Sequence, residues 1–209
     1  MIRLLVADDH AVVRKGIAQI IGETSDIVVA DEAQSGREAL EKARRTDYDL
    51  VLLDISMPGR DGLEVLKDLK AEHPKLAVLM LSMYPEEQYA IRALRSGAAG
   101  YLTKESAPDE LITAIRKVSS GGKYVSASLA EKLASELEHA SDKPRHELLS
   151  DREYQILRKI AAGRTVTEIA EELSLSVKTV STYRARVLEK MCMKGNADLT
   201  RYALENGLT

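Results

Sequence analysis

Over the first 120 residues the chain changes hydrophobic period again and again. Apolar, strand-like runs occur at 2–7, 27–31, 50–53, 76–81 and 98–102. Segments of helical period lie between or after them, at about 11–22, 36–45, 62–72, 86–96 and 108–120. A strand that repeatedly feeds a helix predicts a parallel sheet with helices on both faces. The runs are nearly continuous rather than alternating, as expected of strands buried on both sides. With no Trp, no Phe and eight Tyr in 209 residues, the cores must be aliphatic.

The rest of the chain reads differently. Residues 127–139 place Leu129, Leu133 and Leu137 four apart, predicting a short amphipathic helix. The polar stretch Ser141–Glu147 contains Pro144, breaks all periodicity and reads as a linker. Beyond it no strand-like run occurs, and four helices are predicted at about 151–162, 166–173, 177–191 and 196–206. The expected division is 1–121, a linker with a short helix at 122–148, and 149–209. Charge divides with it. Residues 1–140 hold 18 basic against 23 acidic side chains, and residues 141–209 hold 12 against 10. Within 176–194, Lys178, Arg184, Arg186, Lys190 and Lys194 face Glu189 alone in the count. An acidic first part and a locally basic second part imply two tasks on one chain.

In an open parallel sheet, ligands bind beyond the carboxyl ends of the strands. The first run ends in Asp8-Asp9, the third in Asp54, the fourth in Ser82, and the fifth is followed by Thr103-Lys104. Three carboxylates brought together repel one another unless a cation joins them, and hard oxygen donors suit Mg²⁺. Lys104 supplies a positive charge for a phosphate oxygen and Ser82 a hydrogen-bond donor. One carboxylate could then act as a nucleophile towards phosphorus.

This set resembles the receiver domain of two-component response regulators. The most specific stretch is Leu52-Leu53-Asp54-Ile55-Ser56-Met57-Pro58-Gly59-Arg60-Asp61-Gly62. The resemblance implies a flavodoxin-like, doubly wound sheet of five parallel strands. It implies Asp54 as phospho-acceptor and Mg²⁺ held by Asp9, Asp54 and the Ser56 carbonyl, with Asp8 acting through a water. It makes Lys104 the bridge to the phosphoryl group, Ser82 the switch hydroxyl, and Tyr101 an aromatic that turns inward when Ser82 moves. Two departures are Ser rather than Thr at 82, and Glu105 where many receivers have Pro. If the family's cis geometry occurs after Lys104, surrounding contacts must hold it.

Leu149-Ser150-Asp151-Arg152-Glu153 offers a capping box, Ser150 with Glu153. Next, a short helix, a polar turn and a second helix capped by Ser176 describe a helix-turn-helix. Val180, Tyr183, Val187, Leu188 and Met191 share the core face of that second helix, opposite Lys178, Ser181, Thr182, Ala185 and Arg186. Small polar side chains flanked by bases can enter a major groove. The segment resembles the LuxR-type, four-helix DNA-binding domain through Thr167-Glu168-Ile169-Ala170 and Ser176-Val177-Lys178-Thr179-Val180. That resemblance implies that Ser181, Thr182 and Arg186 face base edges with Ala185 close by, while Lys178, Thr179 and Arg184 touch phosphates. It also implies that the final helix pairs two such domains.

Together the halves resemble the NarL/FixJ class of response regulators. The implied function is a phosphorylation-controlled transcription regulator. Its partners would be a sensor histidine kinase, double-stranded promoter DNA and a second copy of the chain. A haloacid-dehalogenase-type enzyme would want Asp-x-Asp after the first strand, and here the acids are adjacent. A receiver used only as a phosphate-independent interaction module is the other rival. No run approaches the ~18 apolar residues of a membrane span, and the start does not read as a signal peptide. With a single Cys there is no disulfide framework, so a cytoplasmic protein is expected. Cys192 stands where many relatives have Gly, at a position where a left-handed backbone is expected, and is read as a packed thiol.

Overall fold

The computed structural model describes residues 1–138 and 144–208. The chain divides into two compact units, Met1–Ala134 and Ser135–Thr209.

In the first unit five strands alternate with helices. They are β1 (Ile2–Ala7), α1 (Ala11–Gly22), β2 (Ile27–Ala33), α2 (Gly36–Arg45), β3 (Leu50–Asp54), α3 (Gly62–Glu72), β4 (Ala77–Ser82), α4 (Glu86–Arg95), β5 (Gly100–Thr103) and α5 (Pro108–Ser119). The helix α6 (Ala127–Glu138) follows and runs past the point where the second unit begins. All pairings are parallel and the order is β2-β1-β3-β4-β5, so the order reverses between β1 and β3. A crevice at such a reversal is where open α/β sheets take ligands.

Every residue of central β3 is buried. Leu4, Val6, Leu52, Leu79, Leu81 and Leu102 pack there with Ile17, Ile21 and Ile115 from the helices. Each such side chain is worth about 1.5–3 kcal/mol relative to exposure. The core is aliphatic as expected, though Tyr89 and Tyr101 are also fully buried. Helix starts follow their caps: Ser35 accepts from Glu38 N, and Asp61 from Leu63 N.

The second unit is helical: α7 (Asp151–Ala161), α8 (Val166–Glu172), α9 (Val177–Met191) and α10 (Asn196–Glu205). The capping box at Ser150 and Glu153 is formed, and a second links Thr165 with Glu168. Ser174, at φ 53°, turns the chain between α8 and α9. Residues 145–148, at the end of the stretch read as linker, form a 3-10 turn. Its Arg145 donates to the Met191 carbonyl at 2.9 Å, and His146 Nδ1 lies 3.0 Å from the Tyr202 hydroxyl. These side chains found partners distant in sequence, which periodicity does not report. Cys192 does take the left-handed conformation, at φ 55°, but its side chain is exposed rather than packed. The reversal that ends α9 turns it outward and leaves Met191 in the core. The stretch 139–143 and the side chain of Leu137 lie outside the described residues.

Glu153 also ties α9 to α7, since Lys190 Nζ lies 2.6 Å from its carboxylate. Burial pushes this carboxyl up, but hydrogen bonds from Lys190 and Ser150 outweigh that and hold it below its ordinary value. A depressed carboxyl contributes stability above its unfolded pKa and loses it as pH falls through the folded value. Glu153→Gln is therefore expected to lower the stability of the second unit by about 1–2 kcal/mol at pH 7. In urea melts the difference should shrink as pH falls below the ordinary glutamate value and vanish only once the depressed folded value has been passed.

Candidate functional site: an acid pocket and a DNA-facing helix

Strand register builds the first site. Ala7 pairs with Leu53, Asp54 with Leu81, and Ser82 with Thr103. The residues at or just past this level are Asp8, Asp54, Ser82 and Lys104, so four strand ends deliver their polar groups to one edge. Asp8 and Asp54 are each only 1% exposed. The Lys104 ammonium lies 2.7 Å from Asp8 Oδ2 and 2.9 Å from Asp54 Oδ2. Asp54 Oδ1 accepts from the Ser56 N–H at 3.2 Å, which keeps Ser56 beside the carboxylate.

Electrostatics follow from burial. Desolvation raises the Asp54 carboxyl above its ordinary value; Lys104 opposes the rise and Asp8 adds to it. Burial alone would lower the Lys104 ammonium, but Asp54 and Asp8 more than compensate and hold it firmly protonated. Asp9, more open than the other two acids, faces His10 Nδ1 at 2.8 Å. Ligand atoms of Asp8, Asp9, His10 and Asp54 all lie within 4.8 Å of one another. One ammonium cannot neutralise three carboxylates, and an oxygen-rich pocket with excess negative charge fits a hard divalent cation such as Mg²⁺.

The remaining expected residues fall close by. Ser82 is buried and its Oγ accepts from Tyr84 N at 3.0 Å. Tyr101 is buried, its hydroxyl donating to the Tyr84 carbonyl at 2.8 Å. The sequence reading has Tyr101 turning inward once Ser82 moves; here it is inward while Ser82 is engaged with Tyr84. The peptide after Lys104 is trans. Sequence reasoning passed over His10, although it adjoins the acid pair, and Arg14, one helical turn further on. Buried Arg14 donates to the Asp8 carbonyl at 2.7 Å and to Glu32 at 2.7 Å.

In the second unit, α9 buries Val180, Val187 and Met191, with Tyr183 and Leu188 half-buried. Lys178, Ser181, Thr182, Ala185 and Arg186 are all exposed, as their spacing predicts. The Arg186 guanidinium lies 5.9 Å from the Tyr183 ring centre. Two expected phosphate contacts have partners within the unit. Arg184 Nε donates to Asn196 Oδ1 at 2.7 Å, and Thr179 Oγ1 lies 2.7 Å from Ser176 Oγ.

Two family models match. The response regulator receiver domain covers residues 4–116, and the bacterial regulatory proteins of the luxR family cover 147–203. The chain belongs to the NarL/FixJ class of response regulators. It is 40% identical to the response regulator GacA of Pseudomonas protegens over 100% of this chain and 98% of that one. It is 39% identical to the response regulator UvrY of Escherichia coli, over 100% and 96%. Among solved structures, RcsB from Salmonella enterica serovar Typhimurium, bound to promoter rprA with the phosphomimetic BeF3−, aligns with a TM-score of 0.64. The two share 28% identity, covering 97% of this chain and 98% of that one. As a response regulator of this class, the chain joins a receiver to a LuxR-type DNA-binding domain. No described helix is long and apolar enough to cross a membrane.

The backbone of Asp54 is packed tightly from behind. A methyl group at position 62 would lie 2.1 Å from the Asp54 carbonyl oxygen and 2.7 Å from Ile55 Cα. Gly62→Ala is expected to cost about 1–3 kcal/mol in urea unfolding and to weaken Mg²⁺ binding followed by tyrosine fluorescence. Gly16→Ala, on α1 where an added Cβ meets nothing within 4 Å, should leave both unharmed.

Proposed function

We propose that Asp54 accepts a phosphoryl group from a phosphohistidine of a sensor kinase, and that this controls binding of promoter DNA by the second unit. The observation that carries this reading is the Lys104 ammonium held between two buried carboxylates, with Asp9 open beside them. An Asp54 carboxylate oxygen attacks phosphorus, the P–N bond breaks, and the departing imidazole takes up a proton. The product is an acyl phosphate, which later returns to carboxylate and inorganic phosphate by attack of water.

The chain's own groups have distinct parts. Lys104 opposes the rise that burial imposes on Asp54 and faces the incoming phosphoryl oxygens. Asp9, Asp54 and the Ser56 carbonyl would hold Mg²⁺, with Asp8 reaching it through a water. When bound, that ion neutralises charge on the transferring group. Ser82 is the switch hydroxyl: to meet a phosphoryl oxygen it must release Tyr84 N, and Tyr101, bonded to the Tyr84 carbonyl, responds with it. This is a local charge change biasing a two-state element. Apart from its own phosphorylation and dephosphorylation, the protein is a regulator rather than an enzyme. Its work is with cytoplasmic DNA.

On the DNA side, Ser181, Thr182 and Arg186 face base edges with Ala185 near them, and Lys178 meets phosphate. Thr179 and Arg184 are placed at the phosphate backbone too, each giving up or sharing its present partner. A second copy would supply the matching half-site reader.

Acetyl phosphate with Mg²⁺ is expected to tighten DNA binding of the wild type by about 5- to 150-fold, the usual range of coupling between sites. Asp54→Asn should not respond. Equal binding by both proteins with and without the donor would sink this reading of Asp54. Separately, Arg186→Ala should relax sequence preference, at a cost of about 1–3 kcal/mol at one base position. Lys178→Ala should weaken binding to all sequences alike and reduce the salt slope by about one. Selection from a random DNA library, followed by salt titration, distinguishes the two patterns.

A further inference from the structure

We propose that the segment Lys123–Leu129 is a latch that carries the state of the β4–α4 loop to the helix α6. The proposal rests on the reading of Ser82 as the switch hydroxyl.

The segment leaves α5 and returns to the sheet. One end is fixed. Tyr124 N donates to the Ala99 carbonyl at 2.9 Å, and Tyr124 bridges to Gly100 in parallel register. Lys123 Nζ donates to the Ala98 carbonyl at 2.6 Å, and the Tyr124 hydroxyl donates to Glu110 of α5 at 2.9 Å. Burial and the Glu110 carboxylate push this hydroxyl up to about 12, so it remains a donor at any cellular pH. The approach is close. A Cβ at Gly100 would stand 2.6 Å from the Tyr124 carbonyl oxygen, so only glycine admits the strap there.

The other end meets α4 through a side-chain hydrogen bond. The Ser126 hydroxyl donates to the Glu86 carboxylate, while its oxygen accepts from Leu129 N at 3.1 Å and so caps the first turn of α6. Leu129, 1% exposed, seats that turn. Glu86 is the first residue of α4 and stands four residues after Ser82. Between them, Ser82 Oγ holds Tyr84 N, and the Tyr84 carbonyl holds Tyr101. A turn of Ser82 towards a phosphoryl oxygen releases Tyr84 N and shifts the loop that carries Glu86. Ser126 then loses its partner while Tyr124 stays fixed, and the start of α6 is freed about that pivot. The path is short and made of named hydrogen bonds, with a rigid anchor at one end and the breakable Ser126–Glu86 bond at the other.

Hydrogen exchange of the full-length protein, with and without BeF3− and Mg²⁺, tests this. In wild type, BeF3− should speed exchange across residues 126–133. Glu86→Ala, which leaves the Ser126 cap intact, should speed it about tenfold without BeF3−, the size expected for losing one hydrogen bond to a charged group. Adding BeF3− to that variant should change it little further. Ser126→Thr, which keeps the hydroxyl, should exchange as wild type does. Unchanged exchange at 98–103 shows that Glu86→Ala is folded. Wild-type rates at 126–133 in Glu86→Ala would overturn the latch. So would a BeF3− response confined to 82–90. If BeF3− alters neither stretch in wild type, the phosphorylation reading itself fails, and the latch as its reporter fails with it.

Discussion

Lys104 sits between Asp8 and Asp54, within 3 Å of a carboxylate oxygen on each side, at the edge of a sheet whose central strand is wholly buried. Buried together, the two carboxylates and the ammonium offset the cost of taking one another's charge out of water. The three groups therefore depend on one another, and they meet only because the strands are in register. Shifting β3 by one residue against β1 would turn Asp54 to the other face and leave the lysine with one partner. The aliphatic core below, from Leu4 and Leu52 to Leu81 and Leu102, sets that register. Packing thus determines electrostatics, and electrostatics determines what the pocket can receive. The excess negative charge left by Asp9 suits the pocket to a hard divalent cation.

The second unit uses the same economy of means differently. Helices α7, α8 and α9 begin at side-chain caps, Ser150, Thr165 and Ser176, which satisfy backbone N–H groups that have no partner within their helices. Arg145 and His146 brace α9 and α10 from the turn that precedes α7. Val180, Val187 and Met191 fix the rotation of α9, which decides that Ser181, Thr182 and Arg186 face outward. Arg184 and Thr179, which the resemblance to LuxR-type domains implies as phosphate contacts, are also bonded within the unit.

Signalling in a chain like this needs a path of few, breakable links. The β4–α4 loop provides one. Ser82, Tyr84 and Tyr101 form a hydrogen-bonded series that uses main-chain groups of Tyr84 on both sides. Moving one member forces a choice on the next, because a buried donor or acceptor without a partner costs about 1–3 kcal/mol. A change at Ser82 must therefore be met at Tyr84 and then at Tyr101.

Much of this was legible in the sequence. The alternation of apolar runs with helical periods located every strand and helix of the first unit to within a few residues, because burial on both faces leaves no other pattern. Asp8, Asp9, Asp54, Ser82 and Lys104 were legible as a group because strand ends in a parallel sheet converge. The capping boxes and the two faces of α9 were written in local spacing. Other features were not readable. Arg145 on Met191, Glu86 on Ser126 and the outward turn of Cys192 depend on where distant segments meet, or on how the chain leaves a helix. Hydrophobic periodicity is a local quantity and records which face of an element is buried. It cannot record which polar partner waits there, since a hydrogen bond between residues 40 or more positions apart leaves no trace in the spacing of either. The sequence by itself determined the elements, their order and the chemistry brought to the sheet edge. The fold settles which charges pair, which hydroxyls are already engaged, and that α4 meets the start of α6 through Glu86 and Ser126.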